Sequence, residues 1–347
     1  MLRGIAVLMV LIYHIGVYEV KSGGDYILGP HAKTGAAGVD LFFVISGFVM
    51  ITISSRIGRG DDRPGEFLLR RIFRIYPLYW FYTAIAFTVF RLSPNLANRE
   101  GGISTTSPLK SLLLFPDTGA PLVGQGWTLI HEMYFYIGFG LILFGRKEDR
   151  GKWLAAWAAV IVVVCYFWQP SWNALSPSFR VCAELIFNPL TLEFLGGCML
   201  AFVTASGFKR MGKTSFIFGL AMLATSGFVP SSSCGREFIY GIPAMMIAYG
   251  AVAMEKSFGD SGPNFLKEIG DASYSIYLSH ISCLSACLLV WKPLKIAGPI
   301  DNVIFIFLAT VVCLGGGIFS YRFIEVPMQR MIRRILSVNP SNSKHAT

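Results

Sequence analysis

Two side chains near the start of the chain have the type and spacing of a catalytic pair. Arg3 and His14 are eleven residues apart, and an α-helix places residues at that spacing on one face, roughly 16 Å apart along the axis. An imidazole can act as a general base or a nucleophile, and a guanidinium binds anions. His14 lies within an apolar run, which favours a functional role. The alternatives are that Arg3 only sets topology and that His14 hydrogen-bonds a neighbouring helix.

A second group of basic side chains lies in residues 67–77, with the sequence FLLRRIFRIYP. This pattern predicts a cytoplasmic helix that runs into an apolar segment, with Arg70, Arg71 and Arg74 on one side. Guanidinium groups bind phosphate oxygens in a bidentate manner, which suits a nucleotide-bearing donor such as coenzyme A. The same spacing is equally typical of an interfacial helix that binds anionic lipid head groups.

A carboxylate lies six residues into a later apolar run, within residues 124–136, GQGWTLIHEMYFY. Glu132, with His131 beside it, should approach the depth of His14 from the opposite side of the membrane. A carboxylate there could orient an imidazole or accept a hydroxyl proton. The alternative is a buried structural hydrogen bond.

Other ionisable residues in apolar runs have weaker signals. Asp40 begins one run and could cap its helix, while His280 lies nine residues into another. His280 could line the same cavity as His14 or be a core histidine. Glu184 and Glu193 are secondary candidates. Glu325 precedes a proline and is expected to end the last helix.

The common motifs of soluble enzymes are absent from the sequence. It contains no nucleophile elbow, phosphate-binding loop, dinucleotide fingerprint or zinc-protease motif. The seven cysteines include no C-x-x-C pair and predict neither a metal site nor a disulfide. Any chemistry must therefore use the polar residues of the apolar runs and the short loops between them.

The elements that position these residues are predicted to be transmembrane helices. The chain has 347 residues, of which 54% are hydrophobic and 14% charged, against roughly 25% charged residues in soluble domains. Apolar runs long enough to cross a bilayer recur along the sequence. We predict an all-α integral membrane protein with about ten spans, at residues 4–20, 38–55, 76–92, 127–145, 153–169, 181–204, 214–231, 237–255, 272–292 and 302–324.

The distribution of basic residues predicts the orientation of these spans. With the N-terminus in the cytoplasm, 21 of the 30 Lys and Arg residues fall in cytoplasmic segments. Ten spans then place both termini in the cytoplasm. We expect the protein to lie in the inner (plasma) membrane. The net charge of +10 is distributed over membrane edges, which predicts contact with membrane lipid and excludes a nucleic-acid-binding face. The outside segment 92–126 could form a lid or re-entrant loop.

Several motifs, in order along the chain, resemble the membrane acyltransferase 3 family. Arg3 and His14 match its arginine, ten residues, histidine pattern. The sequence GVDLFFVISGF at 38–48 resembles its second-helix motif, and RIFR at 71–74 followed by Tyr76-Pro77 resembles its cytoplasmic arginine motif. Residues 124–136 and 270–280 are similar to the exopolysaccharide O-acetyltransferase branch. The resemblance covers residues 1–330, and implies a stand-alone acyltransferase domain followed by a cytoplasmic tail, 331–347, that we predict to be disordered.

The resemblance implies roles for the candidate residues. His14 would be the catalytic histidine, assisted by Glu132, and Arg3, Arg71 and Arg74, together with Arg70, would bind acetyl-CoA as the acyl donor. The acceptor would be a polysaccharide or lipid-linked sugar, and polysaccharide biosynthesis machinery would be a further partner. We assign binding of the acceptor to Asp40, Trp127, Tyr134 and His280, and expect no metal.

Two other functions remain open at the level of the sequence. A transporter or flippase for a lipid-linked sugar could use the same buried ionisable groups to line a path or couple to protons. A non-catalytic partner of a polysaccharide synthase complex would not need acetyl-CoA or His14. Paired, interrupted spans of the kind that inverted repeats produce are absent from the sequence, which favours the enzyme over the transporter.

Overall fold

The computed structural model describes residues 1–22, 27–54, 64–92, 108–229, 235–258, 264–294 and 299–337. Every regular element in these ranges is helical, which confirms the predicted all-α class. Parts of two predicted features lie outside the described residues: residues 93–107 of the proposed lid and residues 338–347 of the tail.

The described residues form α-helices joined by short turns and three π-helical stretches. In chain order they are α1 (Leu2–Ser22), α2 (Gly29–Thr34), α3 (Ala37–Ser54), α4 (Pro64–Leu92), α5 (Pro108–Leu112), α6 (Gly126–Leu143), α7 (Arg150–Val162), α8 (Pro177–Ile186), α9 (Thr191–Ala205), α10 (Gly212–Ser226), α11 (Ile242–Phe258), α12 (Asn264–Asp271), α13 (Ser273–Trp291), α14 (Pro299–Ser320) and α15 (Val326–Ser337). The π-helical stretches are Val163–Trp168, Glu237–Gly241 and Tyr321–Glu325.

Seven helical segments of the described residues are long and apolar enough to cross a membrane. They are Leu2–Ser22, His31–Ser54, Lys147–Trp168, Pro177–Ala205, Glu237–Glu255, Ser273–Leu294 and Asp301–Arg334. The other three predicted spans coincide with α4, α6 and α10. The protein is thus a multi-pass helical membrane protein, while the number of ten spans stays a prediction.

Helix α1 carries both Arg3 and His14 and contacts several other helices. It packs against α3, α12, α13 and α14. Two side-chain hydrogen bonds set its register beside α13. Arg3 Nε donates to Ser273 Oγ at 3.2 Å, and the hydroxyls of Tyr18 and Ser285 lie 3.0 Å apart. The two helices therefore run side by side in the same direction, and His14 lies at the level of His280.

Glycines allow the close approach of α3 and α9. A Cβ atom on Gly47 would overlap the carbonyl oxygen of Phe194, and one on Gly197 would overlap the carbonyl oxygen of Val44. Small residues at such a crossing let helix backbones pack directly in a membrane. The thiol of Cys198 also donates to the carbonyl of Gly47 at 3.4 Å.

Replacing Gly47 by alanine is expected to destabilise the protein by about 1–3 kcal/mol, because the added methyl group forces the two backbones apart. The measurement is the midpoint of thermal unfolding in detergent. Gly151→Ala is the matched control, since nothing lies within 4 Å of a Cβ atom at that position. An equal midpoint for both variants would contradict the close approach.

Two predicted helices differ from the observed ones in where they are interrupted or end. The predicted span 181–204 is interrupted between α8 and α9, where Asn188 Oδ1 accepts a hydrogen bond from the amide of Leu190 at 3.0 Å. Pro189 has no amide proton to continue the helix, so the sequence Asn-Pro was the overlooked signal.

The last helix does not end at Glu325. The chain passes through the π-helical turn Tyr321–Glu325 into α15, which continues to Ser337. The π-helical turn changes the hydrogen-bond pattern ahead of Pro327, whose nitrogen cannot donate. Residues 331–337 of the predicted disordered tail are consequently helical.

Candidate active site

A pocket with a cavity volume of about 80 Å³ lies between α1, α3, α4, α6 and α13. Its lining includes three arginines and one carboxylate: Arg3, Arg71, Arg74 and Glu132. The rest of the lining is aromatic, aliphatic or hydroxyl-bearing. Since the charged side chains carry an excess of positive charge, the cavity favours an anionic ligand.

The arginines of α4 point in two directions. Arg71 and Arg74 are three residues apart and share the face of α4 that lines the cavity. Arg70 pairs with Glu66 one turn earlier on α4, at 3.6 Å, and its side chain is 64% exposed. The structure therefore brings two of the three predicted arginines into the cavity and leaves Arg70 on the surface.

Arg3 joins these two arginines from α1. Its side chain lies in the cavity wall and is held by the hydrogen bond to Ser273 at the start of α13. Arg74, Glu132 and Glu325 are all within electrostatic range of Arg3. The predicted combination of Arg3 with Arg71 and Arg74 in one site is thus present in the geometry.

Glu132 belongs to the arginine end of the cavity. The hydroxyl of Tyr136, one turn further along α6, donates a hydrogen bond to Glu132 Oε1. The hydroxyl of Ser46 donates to Tyr136 Oη at 3.5 Å, and the Arg71 guanidinium lies 5.6 Å from the centre of the Tyr136 ring. Glu132 is therefore fixed by Tyr136 and faces the guanidinium groups.

His14 has different partners. Its Nδ1 lies 2.9 Å from the carbonyl oxygen of Val10 and 3.3 Å from Nε2 of His280. His14 is not among the described residues that line the cavity, but Tyr277 is, and Tyr277 packs against His280 with ring centres 5.6 Å apart. His14 thus lies two ring contacts behind the cavity wall, and its pairing with Glu132 stays a prediction.

The proposed acceptor-binding residues are distributed over separate environments. Trp127 is partly exposed at the start of α6 and packs on His131. The hydroxyl of Tyr134 donates to the carbonyl of Ile186 at 2.9 Å, on the opposite side of α6 from the cavity. Asp40 is buried in an ion pair, and His280 contacts His14. The structure does not bring these residues into one acceptor site.

The geometry can be compared with known proteins. The sequence profile of the acyltransferase domain of the acyltransferase 3 family matches residues 1–322. The chain belongs to this family. The family assignment makes the protein an acyltransferase, as the sequence motifs predicted.

Three relatives of this acyltransferase carry informative names. The exopolysaccharide production protein ExoZ of Rhizobium meliloti is 30% identical over 87% of this chain and 92% of the relative. The putative acetyltransferase ORF330 of Acidianus two-tailed virus is 23% identical over 81% of each chain. The peptidoglycan O-acetyltransferase OatA of Listeria monocytogenes is 23% identical over 95% of this chain and 55% of the relative. No solved structure matches the chain.

Sequence reasoning missed several residues that shape the acyltransferase site. Ser273 holds Arg3, Tyr136 holds Glu132, and Tyr277 separates the cavity from the two histidines. Tyr277 Oη lies 2.7 Å from Thr128 Oγ1, which fixes α13 against α6. All four lie within the strings 124–136 and 270–280. A hydroxyl in an apolar run was the available signal, since it needs a hydrogen-bond partner there.

Arg236 is a further residue that sequence reasoning left among the loop cations. Its guanidinium binds both carboxylate oxygens of Asp40, at 3.1 and 2.6 Å, and the carbonyl of Ala36 at 3.0 Å. Asp40 and Glu193 are both fully buried, and Arg236 lies within electrostatic range of Glu193 too. Asp40 therefore binds a guanidinium across the bundle and does not cap α3 as an isolated helix start.

Replacing Arg236 by methionine is expected to lower stability by about 3–5 kcal/mol, since two buried carboxyl groups lose their cation. Thermal unfolding of the purified acyltransferase in detergent measures the change. The matched control is Arg180→Met, which removes an exposed pair with Glu184 and should cost less than about 1 kcal/mol. Similar midpoints for the two variants would show that the buried cluster does not hold the helices together.

Proposed function

We propose that this acyltransferase moves an acetyl group from cytoplasmic acetyl-CoA to a hydroxyl of an exopolysaccharide or lipid-linked surface sugar, in the inner membrane. The observation that carries the proposal is the cavity in which Arg3, Arg71 and Arg74 face a single carboxylate. The names of the relatives support the chemistry: one is a peptidoglycan O-acetyltransferase, one a putative acetyltransferase and one an exopolysaccharide production protein.

The arginines account for recognition of the donor. Coenzyme A carries several phosphate charges, and guanidinium groups bind phosphate oxygens through two parallel hydrogen bonds. Arg71 and Arg74 lie on α4, whose N-terminal end follows Arg56, Arg59 and Arg63 in a segment predicted to be cytoplasmic. The donor would therefore enter from the cytoplasm. This orientation rests on the predicted topology of ten spans with both termini inside.

His14 accounts for the transfer. In the direct route, the acceptor hydroxyl gives its proton to His14 Nε2 while its oxygen bonds to the thioester carbonyl carbon. The carbon–sulfur bond then breaks, and the leaving thiolate takes the proton from His14. In the alternative route, His14 Nε2 itself carries the acetyl group between donor and acceptor. Both routes release one coenzyme A for each ester formed.

Glu132 would act at the donor end of the site in this proposal. Its carboxylate faces the arginines and is bonded to Tyr136, so it would orient Arg3 and limit the positive charge of the cavity. The acceptor would reach His14 from the outer side, where α1 and α13 continue beyond the two histidines.

The test is acceptor-dependent release of coenzyme A by the purified protein in nanodiscs. Acetyl-CoA is supplied with and without a lipid-linked oligosaccharide, and the mass of the product is measured by mass spectrometry. A product that gains one acetyl group for each coenzyme A released would support the proposal. Product formation from succinyl-CoA but not from acetyl-CoA would show that succinyl-CoA is the donor and that the acetyl part of the proposal is wrong. No release of coenzyme A with any donor or acceptor would contradict acetyl transfer by this site.

A further inference from the structure

Two imidazoles from different helices meet behind the cavity wall. Nε2 of His280 lies 3.3 Å from Nδ1 of His14, and the ring centres are 4.8 Å apart with planes inclined at 65°. His280 is only 1% exposed, whereas His14 is partly accessible. The contact joins residues 266 positions apart in the sequence, so it follows from the register of α1 beside α13.

The backbone partners of the two rings assign their protons. Nδ1 of His280 lies 2.6 Å from the carbonyl oxygen of Tyr277, and Nδ1 of His14 lies 2.9 Å from the carbonyl oxygen of Val10. A carbonyl oxygen only accepts hydrogen bonds. Each Nδ1 must therefore carry a proton, and each neutral ring has its lone pair on Nε2.

This assignment gives the contact a direction. The Nδ1 proton of His14 is shared between the carbonyl of Val10 and the Nε2 lone pair of His280. The Nε2 lone pair of His14 remains for chemistry. The ring of His280 is itself fixed between Tyr277 on one side and His14 on the other, with ring centres 5.6 and 4.8 Å away.

We propose that His280 is a positioning residue that holds His14 in its reactive tautomer and stabilises the charge that develops on the ring during transfer. This inference rests on the acyl transfer proposed above. When His14 Nε2 takes the hydroxyl proton, or the acetyl group, the ring becomes positive and its Nδ1–H becomes a stronger donor. The neutral Nε2 of His280 accepts that bond, as a carboxylate does in other histidine-based sites.

The decisive comparison is His280→Leu with His280→Gln. Leucine fills the buried volume but accepts no hydrogen bond, while the amide oxygen of glutamine can take the position of Nε2. The leucine variant should lose about 10- to 100-fold in kcat with an unchanged KM for acetyl-CoA, because the arginines are untouched. The glutamine variant should recover most of that loss.

A second readout does not depend on enzyme activity. Diethyl pyrocarbonate reacts with the lone pair of an unprotonated imidazole, and mass spectrometry reports the rate of modification at each histidine. His280→Leu should slow modification of His14 several-fold, His280→Gln should restore it, and the exposed His31 provides an internal reference in every sample.

The outcomes separate this inference from the proposed function. If the wild-type protein transfers acetyl groups and the leucine variant equals it in kcat and in His14 reactivity, the role of His280 is refuted. If leucine and glutamine lower kcat equally while His14 reactivity is unchanged, His280 is only a core residue. If no acyl transfer occurs in any variant, the proposed function fails, and the reactivity of His14 still decides whether His280 controls its ring.

Discussion

Replacing His14 by alanine is expected to lower kcat for acyl transfer by about 10²–10⁴-fold, the range observed when a general base or nucleophile is removed. Alanine retains the helix and removes the imidazole of His14, which is partly accessible and contacts His280. The KM for the acyl donor should stay nearly constant, because Arg3, Arg71 and Arg74 remain in the cavity. The measurement is acceptor-dependent release of coenzyme A under saturating donor.

His31→Ala is the matched control for that experiment. His31 is an exposed histidine of α2 whose ring packs on Phe228, so its loss should leave kcat within about twofold of the wild type. Thermal unfolding of all variants verifies that the His14 variant is folded. Full activity of a folded His14→Ala protein would remove His14 from the mechanism and would leave the arginine cavity without its proposed base.

Replacing Arg71 or Arg74 by alanine is expected to raise the KM for acetyl-CoA by about 10- to 100-fold, since a hydrogen bond to a charged phosphate contributes about 1.5–3 kcal/mol. The effect should fall mainly on KM, because in the proposed mechanism these side chains bind the donor, whereas His14 is not among the described residues that line their pocket. Lysine at either position should restore the charge but only part of the affinity, as an ammonium group lacks the bidentate geometry.

The neighbouring Arg70 offers a matched control on the same helix. Its side chain pairs with Glu66 and is mostly exposed, so Arg70→Ala should leave KM close to the wild-type value. The comparison also separates donor binding from lipid binding. If the three arginines only bound anionic lipid at the interface, replacing any one of them should have the same effect on KM. Equal effects of Arg70, Arg71 and Arg74 on KM would contradict the cavity as the donor site.

Local sequence patterns predicted those parts of the site that lie on one helix. The spacing of Arg71 and Arg74 predicted a shared face of α4, and both line the cavity. The apolar runs predicted the helices themselves, because only a helix satisfies its backbone groups in lipid within a single segment. The same reasoning could not separate Arg70 from its neighbours, since the interval of three or four residues allows either side of the helix to face the core.

Tertiary structure alone decided which helices meet. The ring of His14 contacts His280, and Asp40 binds Arg236 across the bundle. The pairing of His14 with Glu132 stays a prediction. The physical reason is that periodicity describes the faces of one helix but not the rotation of one helix against another. In a membrane, lipid solvates an apolar face as well as a neighbouring helix does, so hydrophobicity does not select the partner. That choice follows from close contacts such as Gly47 with Phe194 and from buried polar pairs, which exist only once the bundle has formed.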